Sequence, residues 1–182
     1  EMPRCGSMRW LAGGLLALTA CLAVGSVRAQ AVSEDAVKAG FVFNFVKFTQ
    51  WAGEREGETR PLDICTPGAL PLDGQFALLQ GRLVGARKIV LRAHVAPADW
   101  RSCQVLYLSD AEAGRAEGGL RALGSAPVLT ISDQAGFVQA GGMIGLRVED
   151  NRVRFDVNLL AAQRAGLTMS SQMLKLAGQV LR

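Results

Sequence analysis

The sequence is poor in the residues that perform most enzymatic and metal chemistry. Its 182 residues include one histidine, His94, and none of the HExxH, CxxC, GxSxG or P-loop motifs. A Cys–His nucleophile would need Cys65 or Cys103 to be reduced and close to His94. One histidine and two separated cysteines are also too few for a structural zinc site. We therefore predict that the chain is not an enzyme and holds no metal and no cofactor.

The sequence also lacks the features of proteins that bind nucleic acids or span membranes. Its formal net charge is +4, and no basic stripe with interleaved aromatic residues is present. No apolar run is long enough for a transmembrane helix. We therefore expect no nucleic-acid partner and no direct membrane span. The length is that of one domain with a sizeable core.

The first 29 residues have the pattern of a secretory signal peptide. Arg4 and Arg9 precede an apolar run from Trp10 to Val24, and Ala29 ends a stretch that a signal peptidase can recognise. We predict that residues 1–29 are a signal peptide and that residues 30–182 form an exported domain.

An alternative processing site lies inside the apolar run. Residues 18–21, Leu-Thr-Ala-Cys, fit a lipobox, which would make Cys21 a lipid-modified N-terminus that anchors the protein. However, the apolar run continues beyond Cys21, where a lipoprotein would begin a polar tether. Cleavage after Ala29 is therefore favoured, and a lipoprotein is the alternative.

Two cysteines, Cys65 and Cys103, lie outside the predicted signal peptide. An even pair in an exported chain favours one disulfide bond, and two buried free thiols are the alternative. Cys65 ends one predicted strand and Cys103 precedes another, so parallel strands in register would place them about 13 Å apart. A disulfide tolerates a Cα separation of only about 7 Å. The bond therefore requires staggered parallel strands or an antiparallel pair.

Apolar spacing predicts alternating helices and strands. Ser33 is a good N-cap, and a helix with Phe41 and Phe45 on its apolar face is expected to end near Thr49. Strands are predicted at residues 62–65, 88–92, 104–108 and 128–131, with a hairpin at 144–148 and 153–158 and helices at 158–166 and 170–181. The pattern predicts a single-domain three-layer α/β/α sandwich with a mixed sheet and a C-terminal β-hairpin, at one edge of the sheet, followed by helices.

The second strand of the hairpin alternates strictly. Its apolar residues at positions 153, 155 and 157 face one side, and Arg154, Asp156 and Asn158 face the other. A strand between two layers is normally apolar on both faces. The polar face therefore meets either water, as at a sheet edge, or a partner. In both cases substitutions of these polar side chains are expected to have little effect on folding.

Small polar residues follow three predicted strands. Thr66, Ser109, Ser132 and Asp133 lie at carboxyl ends of strands, where ligands collect in open α/β sheets. These residues could line a crevice for a small molecule. The alternative is that each Ser-Asp pair caps the helix that follows it.

Several segments, in this order, resemble the YfiR-like family of periplasmic proteins. The first helix, AVKAGFVFNFVKFTQW, is similar to the start of the family, and LDICTPG, LVGARKIVL, CQVLYLS and PVLTISD are similar to its successive strands. GGMIGLRVEDNRVRFDVNLLAAQRAGLTMSSQMLKLA resembles its most distinctive stretch. The resemblance covers almost all of the exported domain.

The resemblance implies a periplasmic regulator. The best-known member of the family holds an inner-membrane GGDEF diguanylate cyclase inactive by binding its periplasmic sensor domain, which lowers cyclic di-GMP and biofilm formation. The resemblance further implies an α/β protein that can form a homodimer and is modulated by redox state. Some members carry a second cysteine pair near positions 133–145, which this sequence lacks, so only Cys65 and Cys103 could form such a bond.

A regulator without catalytic residues must act through its surface. We therefore predict a partner-binding surface formed by Arg154, Asp156, Asn158, Ser170 and Met173. The competing hypothesis is a periplasmic small-molecule-binding protein that uses the crevice at the carboxyl ends of the strands.

Overall fold

The computed structural model describes residues 33–182 except position 73, with the backbone alone at positions 113 and 115–117. The predicted signal peptide and the alternative lipidation site at Cys21 lie outside the described residues. Within the described part, no helix is both long and apolar enough to cross a membrane.

The first helix, α1, runs from Glu34 to Lys47, close to its predicted extent. It begins at Ser33, whose hydroxyl oxygen accepts a hydrogen bond from the backbone N–H of Ala36 at 3.2 Å. Acidic residues in its first turn and a lysine in its last turn complement the helix dipole. The helix packs on the sheet through Phe45, whose ring centroid lies 4.9 Å from that of Phe155.

Besides three short 3-10 helices, the described residues form ten strands and three further α-helices. The strands are β1 (Thr49–Trp51), β2 (Leu62–Cys65), β3 (Leu83–Val84), β4 (Arg87–Arg92), β5 (Val105–Leu108), β6 (Leu129–Ser132), β7 (Ile144–Glu149), β8 (Arg152–Asn158), β9 (Leu167–Met169) and β10 (Gln179–Leu181). The helices are α2 (Ala113–Leu123), α3 (Leu159–Arg164) and α4 (Ser171–Leu176).

Eight of the strands form one mixed sheet in the order β10-β8-β7-β6-β5-β2-β4-β3. Its centre, from β4 to β7, is parallel, whereas β8 runs antiparallel to β7 and β3 antiparallel to β4. Every residue of β5 and β6 is buried, as expected of parallel strands covered on both faces.

Helical segments cover both faces of the sheet, which confirms the predicted three-layer α/β/α architecture. On one face, α1 and a 3-10 helix (Gln75–Leu79) enclose the larger apolar core. On the other face, α2 and a second 3-10 helix (Pro97–Ser102) enclose a smaller cluster around Trp100. Trp100 is 1% exposed and lies so close to Gly119 that a Cβ atom at Gly119 would overlap its ring.

The remaining two strands, β1 and β9, form a separate antiparallel ribbon. Thr49 pairs with Met169 and Trp51 pairs with Leu167. The backbone N–H of Ser170 extends this pairing toward α1, because it donates to the carbonyl oxygen of Phe48 at 2.9 Å. The ribbon therefore joins the end of the first helix to the segment between α3 and α4.

Two predictions for the C-terminal region are wrong. The β7–β8 hairpin does not form the edge of the sheet, because β10 pairs in parallel with β8, with Gln179 opposite Asp156. The last helix, predicted to reach Leu181, ends at Leu176. Gly178 weakens the helical pattern, and its backbone N–H donates to the carbonyl oxygen of Phe155 at 2.8 Å. Residues 179–181 thereby form a strand, and their backbone pairs with the hydrogen-bonding groups at the edge of β8.

The predicted disulfide between Cys65 and Cys103 is confirmed, with a Cα–Cα distance of 6.1 Å. Strands β2 and β5 are parallel, and Ile64 pairs with Val105 while Cys65 pairs with Leu106. This register leaves Cys103 three residues before Leu106, which is about 10 Å along a regular strand. The stagger alone therefore does not bring the two cysteines together. The short Cα–Cα distance shows that the chain at Cys103, which follows the 3-10 helix Pro97–Ser102, departs from the line of β5. The bond lies in the smaller apolar cluster, with Cys65 0% and Cys103 2% exposed.

Candidate functional site

The polar side of β8 lies opposite the side that packs on α1. Directly paired residues point to the same side, so Arg147 shares this side with Arg154, and Gly145 shares it with Asp156. The segment 133–142 covers only the Gly145 end, where Val138 packs over the glycine. We call the remaining part, formed by Arg147, Arg154 and Asp156, the outer face of β8.

An ion-pair network around Arg147 organises the outer face of β8. Arg147 Nε donates to Asp156 Oδ2 at 3.1 Å, and Arg147 Nη1 donates to Glu149 Oε2 at 2.6 Å. The hydrogen bonds to Glu149 and Asp156 raise the pKa of Arg147, and the bond from Arg147 lowers the pKa of Glu149. The two carboxylates offset the repulsion between Arg147 and Arg154, which stand opposite each other.

Asp156 is more enclosed than the alternating pattern predicted. Its side chain is 14% exposed, and its Oδ1 atom is buried without a hydrogen-bond partner among the described residues. A Cβ atom at Gly178 would lie 3.0 Å from this oxygen, so β10 closes over it. Substituting Asp156 removes a partly buried ion pair with Arg147, and the expectation of little effect on folding is corrected for this residue.

Three of the predicted partner-binding residues have structural roles. Asn158 caps α3, because its Oδ1 accepts from the N–H of Ala161 at 2.9 Å while its Nδ2 donates to the carbonyl of Val138 at 2.9 Å. Ser170 caps α4 through its hydroxyl group. Met173 belongs to the larger apolar core and is 4% exposed. The expectation of little effect on folding is therefore wrong for Asn158 as well. Of the predicted residues, Arg154, which is exposed, and Asp156, which is half-buried, remain on the outer face of β8.

Two residues of the predicted crevice are buried and bonded within the fold. The hydroxyl of Thr66 donates to the carbonyl of Gly68 at 3.0 Å, and that of Ser132 donates to the carbonyl of Leu108 at 2.6 Å. Thr66 is 1% and Ser132 0% exposed. Both hydroxyl groups therefore connect backbone segments and are not presented to a ligand.

The other two crevice residues also bind their neighbours. The hydroxyl of Ser109 donates to Glu112 Oε2 at 3.2 Å, and the same carboxylate accepts from the Ser109 backbone N–H at 3.3 Å. The bond from the Ser109 N–H to Glu112 is half of a capping box; the other half is absent, because the Glu112 N–H donates to the Ser109 carbonyl and not to its hydroxyl. Asp133 accepts from the backbone N–H of Asp110 at 3.0 Å and from Lys38 Nζ at 3.1 Å. Ser109 is therefore engaged locally, whereas Asp133 bonds to distant segments of the chain instead of capping the segment that follows it.

A cavity of about 410 Å³ lies at the opposite edge of the sheet, where the parallel strands begin. We call it the amino-end cavity; its lining includes Trp51, Arg60, Arg87, Arg101 and Gln104. This site was not predicted, because the small polar residues that suggested a crevice follow the strands, whereas this cavity lies where the strands begin. The available signal was the arginines that precede or begin β2, β4 and β5.

The residue types of common catalytic and metal sites are not brought together in the described part of the chain. His94 is exposed in a loop, where its backbone has a φ of 55°. No group of three or more His, Cys, Asp or Glu residues in that part is arranged to hold a metal ion. The outer face of β8 and the amino-end cavity therefore remain as the candidate functional sites among the described residues.

The architecture is similar to that of solved structures at low sequence identity. A conserved domain protein from Vibrio cholerae matches with a TM-score of 0.52 and 13% identity, over 81% of this chain and 60% of that chain. This likeness shows the fold alone, and our chain spans about 60% of the length of that structure. An ABC domain from Streptococcus pneumonia, crystallised in complex with L-Trp, matches with a TM-score of 0.47 and 10% identity, over 68% of this chain and 55% of that chain. That similarity is too low to indicate a common fold.

A family model gives the stronger relationship. The model described as YfiR/HmsC-like matches residues 35–178, from the first turn of α1 to the glycine that precedes β10. The match includes both cysteines of the disulfide and the whole of β8. The chain therefore belongs to the YfiR/HmsC-like family, whose members are non-catalytic periplasmic regulators in the cyclic di-GMP pathway.

Proposed function

We propose that this protein binds the periplasmic sensor domain of a membrane GGDEF diguanylate cyclase and keeps the cyclase inactive. Repression would lower cyclic di-GMP and biofilm formation. Membership of a family of regulators in this pathway gives the proposal its direction. The observation that supports a specific contact surface is the outer face of β8, where charged side chains remain accessible beside a well-packed sheet.

The charges on this face are held in a defined arrangement. Arg147 is fixed between Glu149 and Asp156, so little side-chain entropy would be lost when a partner binds. Arg154 is exposed and presents a planar guanidinium group, a residue type enriched at interface centres. An acidic group of the sensor domain would complement Arg154.

A groove beside this face offers space for a partner side chain. Its volume is about 540 Å³, and Arg147 and Asp156 line it together with segment 134–136. Asp156 Oδ1, which lacks a partner among the described residues, lies at the closed end of the same network.

Arg154→Glu tests the proposed surface better than a change at Asp156, because Arg154 is exposed and makes no buried ion pair. If Arg154 contacts the centre of the interface, reversing its charge should cost about 2 kcal/mol or more, roughly thirtyfold in affinity. Cellular cyclic di-GMP should then rise toward the level of a deletion strain, while the melting temperature of the purified variant stays unchanged.

Lys88→Glu is the matched control, since Lys88 is an exposed cation on β4, remote from β8 in the strand order. It should leave cyclic di-GMP unchanged. If deletion of the protein does not raise cyclic di-GMP, the regulator function is wrong. If deletion raises it and Arg154→Glu does not, the function stands and the surface lies elsewhere. The oligomeric state of both variants in solution tests the predicted homodimer.

Processing is a second part of the proposal. We propose that residues 1–29 are removed on export, so that the mature protein begins at Gln30. The intact mass of protein from a periplasmic extract should match this start. A diacylglycerol adduct on Cys21 would instead establish the lipoprotein.

A further inference from the structure

We propose that the amino-end cavity is a binding site for a small organic anion, recognised through its carboxylate or phosphate group. The cavity lies where β2, β4, β5 and β6 begin, and its volume of about 410 Å³ suits a small molecule. This proposal does not depend on the cyclase partner or on the outer face of β8.

The acidic side chains of the cavity are already paired. Glu54 Oε1 accepts from Arg87 Nη1 at 2.7 Å, and Asp63 Oδ2 accepts from Arg92 Nη1 at 3.2 Å. Arg87 also donates to two backbone carbonyls, those of residues 60 and 61, and is 7% exposed. Arg87 therefore builds the wall of the cavity and neutralises its nearest carboxylate.

The hydrogen-bonding capacity that remains on the lining side chains belongs mostly to donors. Arg101 uses one N–H for the carbonyl of Ala122, at 2.7 Å, and is paired with no carboxylate among the described residues. Gln104 accepts the backbone N–H of Asp63 through Oε1, which leaves its amide N–H groups available. The indole N–H of Trp51 is buried without an acceptor in the described part of the chain.

A set of donors with a net positive charge selects an anionic acceptor. Arg60 adds a second guanidinium whose side chain is 78% exposed and held by Glu58. A guanidinium binds carboxylate and phosphate oxygens with two parallel hydrogen bonds. The ring of Trp51, with Pro61 and Pro127, supplies apolar wall, so an anion attached to a flat apolar group fits better than a free inorganic ion.

The test uses benzoate, inorganic phosphate and neutral benzamide as probes of the full chain. Two-dimensional NMR of the labelled protein follows the Trp51 indole N–H signal, assigned with Trp51→Phe. We expect benzoate to shift this signal saturably, phosphate to shift it more weakly, and benzamide to leave it unchanged. Added salt should weaken binding of both anions. A stronger response to phosphate would identify a phosphate-bearing ligand in place of a carboxylate.

Arg101→Gln should raise the dissociation constant of the tighter anion about tenfold, because it removes the unpaired charge. Arg101→Lys should give a smaller loss, since it keeps the charge but not the planar fork. Arg164→Gln, a change of the same charge at an exposed position on α3, should bind as the parent does. The absence of a saturable shift with either anion, equal binding of benzamide, or unchanged binding by Arg101→Gln would overturn the proposal.

Discussion

Lys38 Nζ lies 3.1 Å from Asp133 Oδ2, although the two residues are 95 positions apart in the chain. The same ammonium group lies 2.8 Å from Glu34 Oε1. The pair fastens α1 to the end of β6, at the edge where the carboxyl ends of the parallel strands meet. The hydroxyl of Tyr107 on β5 is buried and has no hydrogen-bond partner among the described residues.

Alkaline pH should weaken the fold through this cluster. Burial, followed by the negative charge of Asp133, raises the pKa of Tyr107 far above its usual 10.0. The folded chain therefore keeps a proton that the unfolded chain loses, so this contribution is complete below pH 10.0 and is lost as the pH rises further. Burial lowers the pKa of Lys38, but hydrogen bonds to Glu34 and Asp133 outweigh it and raise the pKa above 10.5, which adds a loss of the same sign.

The measurement benefits from a sequence containing a single tyrosine. Near-ultraviolet tyrosinate absorbance reports Tyr107 alone, and it should appear together with unfolding instead of near pH 10.0. Tyr107→Phe should show a smaller alkaline loss of unfolding free energy. At neutral pH its stability should change by no more than about 1 kcal/mol, because the buried hydroxyl that is removed has at most a weak contact with Asp133. Reversible titration of folded Tyr107 near its usual pKa would contradict the prediction.

Gly119→Ala should destabilise the protein, whereas Gly118→Ala should not. A Cβ atom at Gly119 would overlap the ring of Trp100, while one at Gly118 would meet nothing within 4 Å. We expect a loss of about 1–3 kcal/mol for Gly119→Ala from overpacking. Gly118→Ala should instead raise the free energy of unfolding by roughly 0.5–1 kcal/mol, because alanine has a higher helix propensity than glycine. Urea unfolding of both variants checks the contrast, and similar midpoints would contradict the packing of α2 on Trp100.

Removing the disulfide should cost stability without changing the fold. The bond closes a loop with a sequence separation of 38 residues, which corresponds to about 2–4 kcal/mol for typical native bonds. Cys65→Ala with Cys103→Ala should therefore unfold at lower urea concentration while keeping the native far-ultraviolet spectrum. Thiol labelling of the unreduced parent protein is the control: reaction of both cysteines in the unfolded state would show that the bond is absent.

Asn158→Ala should lower stability by about 1–2 kcal/mol, because it removes both the cap of α3 and a bond to the segment 133–142. Asn158→Asp keeps the capping oxygen but loses the Nδ2 donor to Val138. We expect the aspartate variant to recover part of the loss in thermal denaturation. If the two variants lose the same stability, the capping bond contributes nothing and the whole loss comes from the contact with Val138.

Local patterns allowed much of the fold to be predicted. Ser33 and the apolar spacing after it placed α1, and the short apolar run at residues 62–65 placed β2 at its observed bounds. The alternation in β8 correctly identified its buried side, where Phe155 and Val157 are 3% and 0% exposed. Each of these signals lies within a few consecutive residues.

The candidate sites depended on contacts that no local pattern contains. Asp156 is half-buried because Arg147 and Gly178 close around it from two neighbouring strands. The residues 179–181 fit a helical spacing, and the available edge of β8 made them a strand. The amino-end cavity combines the end of β1 with segments that precede β2 and β5, which become neighbours only when the sheet forms.

The ribbon of β1 and β9 has a consequence for the order in which the molecule can be completed. Thr49 and Met169 are roughly 120 residues apart in the chain, and the ring of Phe45 packs on Phe155, which is also distant. Closing such long loops costs conformational entropy before the contacts between their ends can stabilise the chain. Folding of this topology is therefore expected to be slow. In a chain synthesised from its N-terminus, α1 can pack early on the 3-10 helix Gln75–Leu79, but its contacts with β8 and the pairing of β1 with β9 must wait until almost the last strands are available. The packing of α1 is therefore completed late, and a chaperone that holds the β8 side of this helix would act during most of the chain's passage to its folded state.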